Sequence, residues 1–171
     1  MTSRFTRAVT VAAPAQAVFM HLDDQTRLAA HMEKPSVMMG GGRMTYAFDE
    51  ARGQAVGSHI KMGGSAFGLS LFVDEVVTER TPPFSKAWRT DGDVRLIIMR
   101  GYTMGFDITA VNGGAKLSVW IVYDLPRGPF GWLAWPLAAL YARWCVGRMA
   151  TDAKRHFTPA AFEQPARLRP L

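Results

Sequence analysis

The chain has 171 residues, is 49% hydrophobic and 20% charged, and carries a formal net charge of +6. That length suits one domain with a core large enough to stand without cross-links, and the apolar content excludes a disordered chain. Its one cysteine, Cys145, excludes an internal disulfide and a structural zinc site built on several thiolates.

The charge is uneven. From residue 127 onward, Arg127, Arg143, Arg148, Lys154, Arg155, Arg167 and Arg169 face only Asp152 and Glu163, whereas the preceding chain is nearly balanced. A basic protein is a candidate for nucleic acid, but no finger, RNP or helix-turn-helix pattern accompanies the charge, so nucleic acid is not expected as a partner. The N-terminus carries no signal-peptide pattern. The uncharged stretch from Gly128 to Ala142 contains Pro129 and Pro136 and falls short of the roughly 20 apolar residues of a membrane span. A cytoplasmic protein is the default expectation.

Phe5 to Val11 alternates with period two and predicts a strand. Pro14 suits the start of a helix, and Val18, Phe19 and Leu22 recur at helical spacing over residues 14–22. Asp23 or Asp24 can cap a second short helix over 25–32, with Leu28 and Met32 inward, ended by Lys34-Pro35. Met38 and Met39, followed by Gly40, Gly41 and Gly42, suit a mobile lid. Met44, Tyr46 and Phe48 alternate in a strand, and Ala51-Arg52-Gly53 reads as a turn. Strands follow over Val56–Met62, Phe67–Val77 and Ser85–Arg89, with Asp91-Gly92 as a turn. The longest alternation, Val94 to Ala110, exceeds a normal strand and is expected to break near Gly101 or Gly105. Asn112-Gly113-Gly114 marks a hairpin, and Lys116 to Tyr123 closes the series. Residues 124–129 end the sheet and the rest reads as helix to Phe157, with Ala142, Val146, Met149, Ala153 and Phe157 as its apolar stripe. Residues 158–171 read as a loose basic tail.

This order predicts an α+β fold: a curved antiparallel sheet of six to seven strands wrapped around one long C-terminal helix, with two short helices after the first strand, in a single domain over 1–157. A twisted sheet gripping a rod leaves a gap between them. The segments VTVAAPAQAVFMHLDD, VDEVVTERTPP with KAW after it, GFDITAVNGGAKLSVWIVYDLP and YARWCVGRMATDAKRHF resemble the SRPBCC superfamily of START-like, polyketide cyclase/dehydrase and lipid-transport proteins. The resemblance spans residues 4–157 and implies a helix-grip fold with a hydrophobic cavity. It does not select among carriers, receptors and cyclases, because fold alone is weak warrant for function.

Arg100 shares its period-two face with Leu96, Ile98, Tyr102, Met104 and Phe106. If that register holds, a guanidinium enters the cavity and, with the Tyr102 hydroxyl, holds the polar end of a greasy ligand. A one-residue slip would turn it outward. His59, in a strand, is a further candidate for orienting a ligand or moving a proton. His21, His31 and His156 are expected at the surface, Asp107 toward solvent, and Cys145 in packing. No pair of histidines has ligand spacing, so neither a metal nor any cofactor is expected.

The remaining walls of the expected cavity are Phe67, Leu69, Leu71, Leu117, Val119, Ile121, Tyr123, Ala142, Val146 and Met149. Phe130, Trp132, Leu133, Trp135 and Leu137, near Arg127, Arg143 and Arg148, either close one end of the cavity, meet a second copy in a homodimer, or touch a membrane surface weakly. The preferred reading is binding or transport of a hydrophobic small molecule (a lipid, quinone, fatty acid or polyketide-like ring). The alternatives are a cyclase/dehydratase-type enzyme working in the same cavity, with Arg100, Tyr102 or His59 as its chemistry, and a membrane-surface or partner-binding module using the basic C-terminal region.

Overall fold

The computed structural model describes residues 2–28, 41 and 43–158. In chain order these form β1 (Thr2–Val11), α1 (Ala15–Asp23), α2 (Gln25–Leu28), β2 (Met44–Phe48), β3 (His59–Ala66), β4 (Leu69–Thr81), β5 (Ser85–Arg95), β6 (Gly101–Val111), β7 (Gly114–Asp124) and α3 (Pro129–His156). The strands make one antiparallel sheet in the order β1-β7-β6-β5-β4-β3-β2. Met32, the proposed lid at Met38 and Met39, His31 and the tail beyond Thr158 lie outside the described residues.

Alternation sets which face is covered. Across β6 and β7, Met104 lies opposite Ile121, Phe106 opposite Val119 and Ile108 opposite Leu117; all six side chains are buried. The long helix α3 lies on this inner face, over β1 and β7. Its buried stripe is mostly small: Ala134, Ala138, Ala142, Cys145, Val146, Met149, Ala150 and Ala153. Alanines at this spacing let the helix axis approach the sheet closely. From α1, Val18, Phe19 and Leu22 are buried, and the Phe19 ring meets the Phe106 ring edge-on at 5.8 Å. Asp24 caps α2 by accepting from the Thr26 backbone N–H at 3.1 Å, the local role expected of an aspartate there.

On the outer face Gly105 is required by packing. A Cβ there would stand 2.6 Å from the Trp120 ring and 2.7 Å from the Lys86 carbonyl oxygen. Trp120 lies across this gap, its indole N–H donating to Asp107 at 2.8 Å.

The strand boundaries differ from expectation in the β3–β6 region. The chain turns at Phe67-Gly68, so Phe67 belongs to a turn and not to a strand. Asp91-Gly92, expected as a turn, sits inside β5, where Gly92 takes a φ of 62° and the pairing with β4 slips between Phe72 and Asp74. The turn-like dipeptide is absorbed as a bulge, which bends a strand without ending it. The long alternation from Val94 breaks at residues 96–100, just before Gly101.

Candidate functional site

The α3 helix covers the β1–β7 side of the inner face. Toward β2–β5 the inner side chains Tyr46, Phe48 and Leu71, with Tyr102 of β6, are only half-buried, and Tyr141 and Trp144 of α3 stand half-buried at the margin of the same core. A cleft of about 350 Å³, lined in part by Arg43, Met44, Tyr46 and Phe48, runs along the β2 edge.

Within this apolar surface lies one acid. In β4, Leu71, Val73, Glu75 and Val77 alternate onto the inner face, and Glu75 is 3% exposed. The Tyr102 hydroxyl donates to its carboxylate at 2.5 Å, and the Trp88 side chain also hydrogen-bonds it. Burial is the dominant effect on Glu75. It outweighs both hydrogen bonds and the charge of Lys86, and pushes the carboxyl up to about 7. Burial disfavours the charged form of an acid, and neutral donors recover only part of the lost hydration. Burial likewise pushes the Cys145 thiol up to about 12, with the negative charge of Glu75 adding to it, so Cys145 is a packed thiol and a poor nucleophile. The Tyr102 and Tyr141 hydroxyls are raised for the same reasons, burial first. The arrangement offers a proton donor and acceptor near neutral pH inside an apolar wall.

A second buried carboxyl, Asp23, ends α1 and has the opposite environment. It takes a bidentate contact from Arg80, with the shorter N–O distance 2.7 Å, and Lys86 Nζ donates to it at 3.0 Å. Burial pushes this carboxyl up, but the Arg80 hydrogen bond and the two cations outweigh it and hold it below the usual range. Lys86 is fully buried and also donates to the Asp23 carbonyl oxygen at 3.1 Å. Arg80 lies over the Phe19 ring at 5.5 Å. This cluster fixes α1 to the sheet and leaves Lys86 committed to Asp23.

Arg100 is exposed and does not enter the inner face. The β5 strand ends at Arg95, and Arg100 lies beyond the end of the ladder, its backbone N–H donating to the Asp124 carbonyl oxygen at 2.8 Å. Regular pairing starts again at Gly101, so parity across the break misplaces the guanidinium. His59 lies on the outer face, its ring 2.9 Å from Asp74, because it pairs with Val76 of β4 while Glu75 and Val77 point inward. Phe67 and Leu69, expected as cavity walls, are instead 66% and 55% exposed at the β3–β4 turn. Leu71 is half-buried near Glu75, and Leu96 and Ile98 are half-buried in the link between β5 and β6.

Met104, Phe106, Leu117, Val119, Ile121, Tyr123, Ala142, Val146 and Met149 are buried together between β6, β7 and α3. Tyr102 alone among the proposed polar groups reaches the inner face. His21 is half-buried rather than exposed: it stacks on His156 with ring centroids 4.0 Å apart, and burial, then the neighbouring His156, pull its pKa down to about 4. Among the described residues no three His, Cys, Asp or Glu side chains converge as a metal site.

Sequence reasoning misses Glu75, although a signal for it exists. Leu71, Val73, Glu75 and Val77 keep strict alternation, and the adjoining Asp74 makes the pair look like a solvated acidic turn. Lys86 and Trp88 share the inner face by the same parity.

Comparison with known proteins agrees with this fold. No curated protein of similar sequence matches the chain. Among solved structures, the fold is similar to the Zhui aromatase/cyclase from Streptomyces sp. R1128, with a TM-score of 0.65, 13% identity, and coverage of 94% of this chain and 99% of that one. It is also similar to BexL, the di-domain ARO/CYC of the BE-7585A biosynthetic pathway, with a TM-score of 0.65, 19% identity, and coverage of 93% of this chain and 51% of that one. Ara h 8.0201 gives a TM-score of 0.61 at 12% identity, covering 92% and 98% of the two chains. At these identities the likeness is one of fold. No helix among the described residues is long and apolar enough to cross a membrane. The sequence matches a family profile over residues 2–158, and with the seven-stranded sheet closed on α3 this establishes that the chain belongs to the polyketide cyclase / dehydrase and lipid transport family.

Proposed function

We propose that the protein binds a hydrophobic small molecule on the inner face between β2–β5 and α3, with the ligand's polar group meeting Glu75 and Tyr102. The observation that carries this reading is a buried acid, held by neutral donors, in an otherwise apolar wall. Apolar burial supplies affinity, and a few placed polar groups supply orientation. The chemistry of those groups narrows the ligand. Among the described residues Lys86 is the buried cation near this acid, and it is committed to Asp23. A free fatty acid would bring a second carboxylate toward Glu75 with no cation to receive it, so a neutral hydroxyl- or keto-bearing ring fits better.

The test uses 2-naphthol and laurate as probes, followed by isothermal titration and thermal shift. The naphthol is expected to bind and to raise Tm, laurate to bind at least tenfold more weakly, and Glu75→Ala to weaken the naphthol. Arg100→Ala is expected to bind like the wild type. Tighter binding of laurate, or loss of binding in Arg100→Ala, would overturn the reading.

A second reading, a cyclase-type enzyme, is favoured by one specific feature: an acid poised near pH 7 suits general acid–base work. In it the ionised Glu75 removes a proton α to a ketone, the enolate attacks a second carbonyl of the same chain, and Glu75 returns the proton to the new alkoxide. Glu75→Gln would then abolish cyclisation of a tethered diketone while leaving its binding intact.

A further inference from the structure

We infer that one end of the sheet is a docking surface for an anionic lipid bilayer. Strand register places separate segments together there. Asp124 pairs with Gly101, Phe72 pairs with Arg95, and Met44 pairs with Gly64. The start of α3, the β5–β6 link, the β3–β4 turn and the chain just before β2 therefore share one end of the molecule.

Two kinds of side chain project from it. The first is apolar. Along α3 the outward face over its first three turns carries Trp132, 83% exposed, with Leu133, Leu137 and Leu140, each more than half exposed. From the β3–β4 hairpin, at the same end of the sheet, come Phe67, Leu69 and Phe72, also exposed. The second kind is cationic: Arg43, Arg95, Arg100 and Arg127 are all exposed. The acids on these same segments are Asp93 and Asp124. Farther along α3 the same outward face changes character, to Arg143, Arg148, Lys154 and Arg155.

Exposed apolar patches of this kind mark interaction sites, and the charge selects the occupant. Exposed cations beside exposed tryptophan and leucine complement the boundary between acyl chains and anionic headgroups, with the indole at headgroup depth and each arginine facing a negative surface. Arg100, which misses the inner face, faces those headgroups here.

The turn adds an independent sign. Phe67 takes a φ of 52° and Gly68 a φ of 75°, the left-handed pair of a two-residue hairpin that favours Asn-Gly. An aromatic residue is disfavoured at such a φ, and this ring gains nothing from burial. Such an outlier points to a functional use of the exposed side chain.

The test is co-sedimentation of the full chain with vesicles of phosphatidylcholine alone and of an equimolar mixture with phosphatidylglycerol. Binding is expected on the mixed vesicles and at least tenfold weaker on the neutral ones, with loss at high salt. The double variant Arg100→Glu, Arg127→Glu is expected to bind about twenty-fold more weakly or worse, at roughly fivefold per cation. Trp132→Ser should abolish the blue shift of tryptophan fluorescence on the vesicles. Phe67→Asn separates docking from folding, since it should raise Tm while weakening vesicle binding. Equal retention on both vesicles, or none on either, would overturn the inference. So would a dimer in sedimentation equilibrium that Trp132→Ser dissolves while vesicle binding stays unchanged.

Discussion

Replacing Glu75 by Gln tests the electrostatics of the inner face directly. The amide keeps an oxygen to accept from Tyr102 and Trp88 but carries no ionisable proton. In the wild type, burial raises the carboxyl from 4.5 to about 7. Between those two values the folded state binds the proton that the unfolded chain has already released. Stability contributed by Glu75 is therefore greatest below pH 4.5 and falls as the pH rises through 7. At 1.36 kcal/mol per pH unit the loss approaches about 3 kcal/mol on the alkaline side. The Glu75→Gln variant lacks this loss, so the stability difference, variant minus wild type, should grow by up to about 3 kcal/mol from pH 4.5 to 8. Urea unfolding of both proteins across that range measures it. Because only the difference is used, the titrations of Asp23 and His21, present in both chains, cancel to first order. A difference that stays flat with pH would mean that Glu75 titrates alike in the folded and unfolded chains, and the desolvation argument would fall. A difference that shrinks with pH would mean that the carboxylate is stabilised inside by a cation.

Asp23→Asn removes the counter-charge from the fully buried Lys86 and should cost about 3–5 kcal/mol in urea unfolding; a cost below about 1 kcal/mol would mean that Lys86 folds neutral. Gly105→Ala drives a methyl into the Trp120 ring and the Lys86 carbonyl, and should cost about 1–3 kcal/mol; an unchanged Tm would contradict the packing on the outer face. For His21 the unfolded imidazole takes up a proton near 6.5 while the folded one does so only near 4, so acid favours unfolding across that window. His21→Leu should blunt the fall in Tm between pH 6.5 and 4, and an unaltered pH profile would remove His21 from the account.

The architecture is legible in the sequence because it rests on period. Strict alternation in β7 and β1, and the stripe of Ala142, Val146, Met149 and Ala153 in α3, leave one arrangement in which these apolar faces cover one another. Legibility fails where period is interrupted. Gly92 reads as a turn, yet the flanking hairpin has enough pairing on either side to hold it as a bulge. Counting parity from Val94 through 110 carries Arg100 inward, but the ladder ends at Arg95 and resumes at Gly101. Parity has no meaning across unpaired backbone. Glu75 is hidden for another reason. Its alternation is intact, but an acid beside an acid looks solvated, and only the tertiary placement of Trp88 and Tyr102 supplies the donors that make burial tolerable.

The two buried carboxyls explain one another. Asp23 and Glu75 sit under the same sheet, both removed from water, and the cations nearby go to only one of them. Arg80 and Lys86 converge on Asp23 because α1 ends there, over the side chain that β5 sends inward one step before Trp88. With that pairing made, Asp23 is fixed as an anion with a structural role, and Lys86 is too well satisfied to neutralise Glu75. Glu75 keeps neutral donors alone, so its proton stays exchangeable near pH 7. Environments that drive two like groups apart are the usual mark of divided labour between them. Freeing Lys86 by Asp23→Asn should therefore pull the Glu75 carboxyl back down. In that background the pH dependence of the Glu75→Gln difference should shrink, linking a helix anchor to the chemistry of the inner face through one lysine.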